Sequence, residues 1–255
     1  MSGIESLLQA VSDVAQLAGS TAMRRFRSAL TVERKADGSP VTLADREAEH
    51  AAREWIARRY PADGFLGEEL GTHNPSAARR WIVDPIDGTK SFVRGMPLWG
   101  SLVAVVEGER VLAGAACFPA TGELLAAAEG CGCWADGSRA QVSSTSSLGD
   151  ATVLVTDERF RSAARRDRWV SLAARAAVSR TWGDCYGYLL VATGRAEVMA
   201  DDVVSAWDAA AFVPIVAEAG GVLTDWSGRA TAFGGSLLAT NRLLADEVRR
   251  ELLDA

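Results

Sequence analysis

A change of hydrophobic period just after Pro61 constrains this chain more than any other feature. Before it, Leu7, Val11, Val14, Ala18, Ala22 and Phe26 recur at helical spacing and predict an amphipathic helix over about residues 4–27. Asp37, Gly38, Ser39 and Pro40 read as a turn or loop within residues 28–41. A second helix is expected from near Thr42, with Ala44, Ala48, Ala51, Trp55 and Ile56 on its buried stripe and Pro61 beyond its end. After Pro61 the apolar residues come in short runs that stop at acids, Phe65-Leu66-Gly67 and Trp81-Ile82-Val83. Ser101–Glu107 and Val111–Phe118 predict a hairpin about Gly108-Glu109, and Leu124–Ala128 with Cys133-Trp134 a further pair of strands. The first half therefore reads as two helices and a mostly antiparallel sheet.

The Ser/Thr-rich stretch Ser143–Ser147 is the best boundary, dividing 1–145 from 146–255 within one compact fold. Beyond it a strand is expected at Thr152–Val155, a helix at about Ala163–Ala177, a short helix at Tyr186–Thr193 and a strand at Glu197–Ala200. An apolar helix over Ala206–Ala219 closes at Gly220-Gly221. Strands near Val222–Thr224 and Leu237–Thr240 precede a terminal helix capped by Asn241. Alternating strands and helices place the chain in the α/β or α+β class.

Bulk properties exclude several functions. A net charge of −6 and a pI near 5.1 lack the basic footprint of a nucleic-acid binder. They leave room for an anionic substrate, because bound metal ions can reverse the local sign. Two histidines, His50 and His73, and a C-x-C pair at Cys131 and Cys133 supply a zinc site poorly. The cysteines read as reduced thiols of a cytoplasmic protein. The N-terminus shows no basic segment followed by an apolar run, and no apolar stretch approaches the ~18 residues of a membrane span.

Three acidic clusters carry the chemistry. In Trp81-Ile82-Val83-Asp84-Pro85-Ile86-Asp87-Gly88-Thr89 a buried strand delivers two carboxylates into a tight turn. Pro85 fixes φ there, and Gly88 lets backbone approach a ligand. Gly67-Glu68-Glu69 follows another apolar strand, and Asp208 opens the apolar helix in Ala206-Trp207-Asp208-Ala209-Ala210. Alone, each has an ordinary reading: a solvated turn, a loop end, a helix cap. Together, three acidic element ends can converge on a hard divalent cation, which requires several oxygen ligands.

The combination resembles the inositol monophosphatase family. Asp84-Pro85-Ile86-Asp87-Gly88-Thr89 with Phe92 matches its D-P-[IL]-D-G-T-x-x-F signature. Gly67-Glu68-Glu69 matches its G-E-E strand end, and Trp207-Asp208-Ala209-Ala210 its W-D-x-A-A motif. The resemblance spans nearly the whole chain and implies a layered α-β-α-β-α fold and metal-assisted phosphomonoester hydrolysis. It implies that Glu68, Asp84 and the Ile86 carbonyl hold one magnesium ion, and Asp84, Asp87 and Asp208 a second. A third, looser ion would use Glu68. Gly88 and Thr89 would offer backbone N–H groups to the phosphate. Asp45, which also reads as part of a capping box with Thr42, would pair with Thr89 to orient the attacking water. Lys35 matches a family lysine and otherwise reads as a solvated loop residue. Relatives are commonly homodimers, so a homodimer is expected.

Two segments narrow the resemblance. Phe92-Val93-Arg94-Gly95-Met96-Pro97-Leu98-Trp99 and Arg180-Thr181-Trp182-Gly183-Asp184-Cys185-Tyr186-Gly187 resemble stretches of bacterial histidinol-phosphatases. Histidinol phosphate carries an amine and a titrating imidazole, whereas inositol offers hydroxyls. An added carboxylate suits the amine. Asp184 is the candidate for that carboxylate and can also cap the helix that follows it. Asp201 matches the position where inositol phosphatases place a substrate-contacting glutamate, and Cys185, within the matching segment, joins these two as an expected substrate contact. Asp202 stands where relatives usually carry proline, which predicts a looser turn beside the pocket. Hydrolysis of L-histidinol phosphate in histidine biosynthesis is the leading expectation. An inositol, sugar-phosphate or nucleotide phosphomonoesterase is the alternative, and a phosphatase-like protein-binding scaffold the reading from another class. The basic stretch Arg159–Arg168 reads by default as a solvated helix face.

Overall fold

The computed structural model describes residues 3–253 apart from Asp37 and Glu158, so Asp37 of the expected turn lies outside the described residues. Helix α1 (Gly3–Met23) stops about a turn short of its apolar stripe, and residues 24–27 continue as turns. Phe26 belongs to the stripe because its ring packs on Phe92 and Trp99, both with centroids 5.5 Å away. The next loop holds two short strands, β1 (Glu33–Arg34) and β2 (Pro40–Val41), paired antiparallel. Helix α2 (Leu43–Arg59) begins with the expected capping box. The Thr42 hydroxyl accepts from the Ala44 N–H at 3.1 Å, and Asp45 accepts from the Thr42 N–H at 2.8 Å.

The next elements are β3 (Gly64–Gly67), β4 (Gly71–His73), β5 (Arg79–Asp87), α3 (Thr89–Phe92), β6 (Gly100–Glu107), β7 (Arg110–Phe118), β8 (Glu123–Ala128), β9 (Gly132–Ala135) and β10 (Ser138–Arg139). The strands form one eight-stranded sheet in the order β10-β9-β8-β7-β6-β5-β3-β4, antiparallel except for β3 beside β5. Side chains alternate between two cores. Trp81, Val83, Val103 and Val105 face the cluster that includes α1 and α2, while Ile82, Leu102, Ala104 and Val106 face the opposite one. Two-sided burial is why these strands read as unbroken apolar runs.

The second half contains β11 (Thr152–Val155), α4 (Ala163–Ala173), β12 (Val178–Arg180), α5 (Cys185–Ala192), β13 (Val198–Asp201), α6 (Ala206–Ala209), α7 (Phe212–Glu218), β14 (Val222–Thr224), β15 (Leu237–Thr240) and α8 (Ala245–Leu252). Its five-stranded sheet runs β12-β11-β13-β15-β14. Helices α5 and α7 contact strands of both sheets, and Trp169, Leu172, Val248 and Leu252 of α4 and α8 join a third cluster with strands β11, β13 and β15. The layers are thus α-β-α-β-α. Three expected elements change. Helix α4 stops at Ala173, which leaves Val178–Arg180 to pair as an edge strand on β11. The apolar helix splits into α6 and α7, because Pro214 has no N–H for the Ala210 carbonyl and its ring crowds that turn. Asn241 accepts from the Leu244 N–H at 3.0 Å and so caps the turn ahead of α8 rather than the helix itself.

Candidate active site

The D-P-x-D motif works through a defect in the sheet. On a regular strand two residues three apart point to opposite faces. Opposite β6, however, Asp84 pairs with Leu102 and Asp87 with Gly100, so three steps on β5 match two on its partner. This extra residue is a bulge, which turns both carboxylates to one side. A bulge is also where a strand tolerates proline. Helix α6 brings Asp208 to them, and ligand oxygens of Asp84, Asp87 and Asp208 lie within 4.8 Å of one another.

Each of the three accepts a backbone N–H. Asp84 accepts from Ile86 at 3.0 Å, Asp87 from Cys185 at 2.5 Å, and Asp208 from Ser205 at 2.7 Å. These bonds fix the rotation of each carboxylate. Burial, followed by the neighbouring charges of Glu68, Asp87 and Asp208, holds Asp84 far above the usual carboxylate range. Burial together with Asp184 and Asp208 does the same to Asp87, and burial pushes Asp208 up to about 6. Mutually repelling carboxylates buried together are the donor set of a cation site.

Glu68 lies just past β3, where Lys35 reaches it at 2.6 Å and Glu69 at 2.5 Å. Lys35 is therefore tied to the acidic motif rather than solvated. Burial disfavours its charge, yet these two carboxylates more than compensate and raise its pKa. Glu49 is a further participant that the sequence reading missed. It is fully buried, and it accepts the N–H groups of Glu69 and Leu70, both at 2.8 Å. Its carboxylate fills the space where a Cβ on Gly67 would sit, 1.8 Å from Glu49 Oε1. Burial pushes Glu49 up to about 7. The available signal was an acid four residues after Asp45, on the alanine stripe of α2.

Thr89 opens α3 after Gly88, whose φ of 83° is left-handed. Thr89 Oγ1 donates to the Ile86 carbonyl at 2.9 Å and lies 3.5 Å from Asp45 Oδ1. Asp45 is fully buried, its other oxygen held by the Thr42 N–H and hydroxyl.

Asp184 lines a cleft of about 130 Å³ together with Asp87, Asp201 and Asp208. Its side chain makes no cap bond to α5. Its backbone, at φ 49° and ψ −152°, is in a region that essentially glycine alone enters freely. The Asp184 N–H donates to Thr156 Oγ1 at 2.7 Å, and the next N–H is the one held by Asp87. Asp201 forms the floor, accepting the Tyr188 hydroxyl at 2.8 Å and the Thr156 N–H at 3.2 Å, with burial pushing it up to about 7. The side chain of Cys185 does not line the cleft. It is buried in the core between the sheets, its Sγ 3.7 Å from the Asp87 carbonyl, so only its backbone serves the site.

The turn at Asp202 is not loose, contrary to expectation. The buried Asp202 carboxylate accepts the Arg161 N–H at 2.6 Å and pairs with Arg165. The Arg159–Arg168 stretch is accordingly not a uniformly solvated face, since Arg165 points inward and Arg159 lines the cleft.

A model of the inositol monophosphatase family matches residues 4–254. The chain belongs to the inositol monophosphatase family. Within it, the chain is 44% identical over 236 residues to a histidinol-phosphatase of Chlorobaculum parvum, covering 91% of each. It is 42% identical to a histidinol-phosphatase of Mycobacterium tuberculosis, covering 88% of each. An inositol monophosphatase structure from Zymomonas mobilis superposes with a TM-score of 0.88 at 30% identity, covering 99% of both chains. Enzymes of the inositol monophosphatase family are metal-dependent phosphatases of small phosphate esters, and the Asp84, Asp87 and Asp208 oxygens fit that requirement. Among the described residues no helix is long and apolar enough to cross a membrane.

Proposed function

We propose that this family member hydrolyses L-histidinol phosphate, with magnesium as its metal and two or three ions per site. The observation that carries this reading is the cleft itself, which adds Asp184 to the converging acids of the cluster. Asp84, Asp87 and Asp208, with Glu68 and the Ile86 carbonyl, would hold the ions. Bound magnesium would supply Lewis acidity toward the phosphoryl oxygens and acidify a water. Thr89 has one hydroxyl proton for two acceptors, the Ile86 carbonyl and Asp45. Asp45 orders that hydroxyl, whose lone pairs can then orient a water as nucleophile. Gly88 and Thr89 present backbone to the phosphate, and Asp184, backed by Asp201, pairs with the substrate's cationic amine.

Names of relatives support the same choice, since the two at 42–44% identity are histidinol-phosphatases. A broader phosphomonoesterase is the second reading, favoured by 34% identity to a fructose-1,6-bisphosphatase/inositol-1-monophosphatase of Thermotoga maritima. On our reading residues 1–145 carry most of the metal site and 146–255 most of the leaving-group wall, in a cytoplasmic homodimer. Phosphate release from L-histidinol phosphate and myo-inositol 1-phosphate, with magnesium or EDTA, tests this directly. We expect a large kcat/KM preference for the former and silence in EDTA. Equal turnover of both would leave the broader reading.

A further inference from the structure

Asp201 is the last residue of β13 and Asp202 follows it at the bend beyond the strand, both at the cleft. Asp201 forms the cleft floor. Asp202 anchors the segment that joins β11 to α4, through the Arg161 N–H and the Arg165 guanidinium. The same strand end holds the start of that segment, because Asp201 accepts the Thr156 N–H at 3.2 Å. Between these two anchors lie Asp157 and Arg159, which line the cleft. Arg159 is fixed on Asp157 by its N–H at 2.9 Å and its Nε at 2.6 Å, and Lys90 lies 3.8 Å from the same carboxylate. Asp157 and Asp184 also line an adjoining hollow of about 180 Å³.

A buried carboxylate–guanidinium pair is weak support for stability, because desolvation offsets much of the attraction. Its firmer use is to fix one geometry. We propose that Asp202 is a positioning residue for substrate selection: through Arg161 and Arg165 it holds the strap between β11 and α4 so that Arg159 stays paired with Asp157 and Asp184 is left to face the cationic group of a phosphomonoester. This rests on reading the cleft as the leaving-group pocket of a phosphatase for a cationic substrate. Asp202 borders the cleft, but its carboxylate is taken up by Arg161 and Arg165, whereas Asp84, Asp87, Asp208 and the Thr89–Asp45 pair are held by other groups, so the chemistry on an uncharged leaving group should not depend on it.

The test is Asp202→Asn, with kcat and KM measured on L-histidinol phosphate and on 4-nitrophenyl phosphate at saturating magnesium. Trypsin cleavage after Arg159 or Arg161 is followed in parallel. The expected result is a roughly tenfold higher KM for histidinol phosphate, the loss of a bond to a charged group. Values for 4-nitrophenyl phosphate stay within about twofold, and strap cleavage is faster. Arg165→Lys, which keeps the charge, retains most of the selectivity. Equal losses on both substrates, or faster cleavage with no change in KM, would overturn the proposal. If Asp202→Asn does not fold, Arg165→Ala reads the same split with the Arg161 bond left in place. If the unmodified enzyme shows no preference for histidinol phosphate, the functional reading fails instead, and the cleavage rate alone decides whether Asp202 holds the strap.

Discussion

Two walls of one cleft handle buried negative charge in opposite ways. On the β5–α6 side, Asp84, Asp87 and Asp208 face one another, each steadied by a backbone N–H. On the β13 side, Asp201 and Asp202 are answered by the chain itself, through Tyr188, Thr156, Arg161 and Arg165. The first arrangement stores repulsion that an external cation can remove. The second is largely answered within the chain, although burial still raises Asp201, and it sets a shape. Acidity by itself therefore says little about metal binding in this protein, and the decisive property is whether the chain has already satisfied the carboxylate.

The strongest way to break that contrast is Asp84→Asn. Removing one carboxylate from the converging set should lower kcat/KM on every phosphomonoester by on the order of 10³-fold, as losing a charge-stabilising group at a transition state does. Calorimetric magnesium titration should weaken in step. Near-normal turnover would place the metal elsewhere. Next comes Glu49→Gln, which puts an amide NH₂ against the Glu69 or Leu70 N–H. The loop bearing Glu68 should shift, and the magnesium concentration for half-maximal rate should rise roughly tenfold, as for other outer-shell supports of a metal site. Asp184→Ala should raise KM for histidinol phosphate by roughly tenfold and leave uncharged phosphomonoesters unaffected.

Acidity also separates the two states of the protein. Glu49 and Asp201 are each pushed up to about 7, and Asp208 to about 6, by burial. A carboxylate whose folded pKa exceeds its unfolded value of about 4 binds more protons when folded. Its contribution is complete below that lower value and is lost as pH rises through the folded one. In EDTA, thermal melts should therefore drop by on the order of 5 °C between pH 5 and pH 8. Magnesium, which binds ionised carboxylates, should shrink or reverse that drop. The smallest effect belongs to Cys185→Ala. Its Sγ is buried beneath the site, so kcat and KM should stay within about twofold.

The sequence displayed the elements whose signals are local. The period change after Pro61, the capping box at Thr42 and the hairpin about Gly108-Glu109 depend on neighbours in the chain, and each forms as expected. What it hid depends on distant partners or on a single residue inside a strong pattern. Pro214 splits a helix whose apolar stripe continues across the break. Glu49 looked like one more polar position on α2 until the β3 loop closed over it. Arg165 resembled its solvated neighbours because Asp202 lies 37 residues away. The three acidic motifs were visible individually, but the bulge that lets Asp84 and Asp87 share a side appears only in the pairing with β6.

The backbone at Asp184 carries a consequence for anyone altering this protein. Its φ of 49° and ψ of −152° suit glycine, and a non-glycine residue held there costs roughly 1–3 kcal/mol. A laboratory selection for heat resistance would favour glycine at this codon, whereas a selection for growth on the cationic substrate would restore aspartate. Opposed enrichment at position 184 in two such libraries would mark the place where this fold trades durability for discrimination.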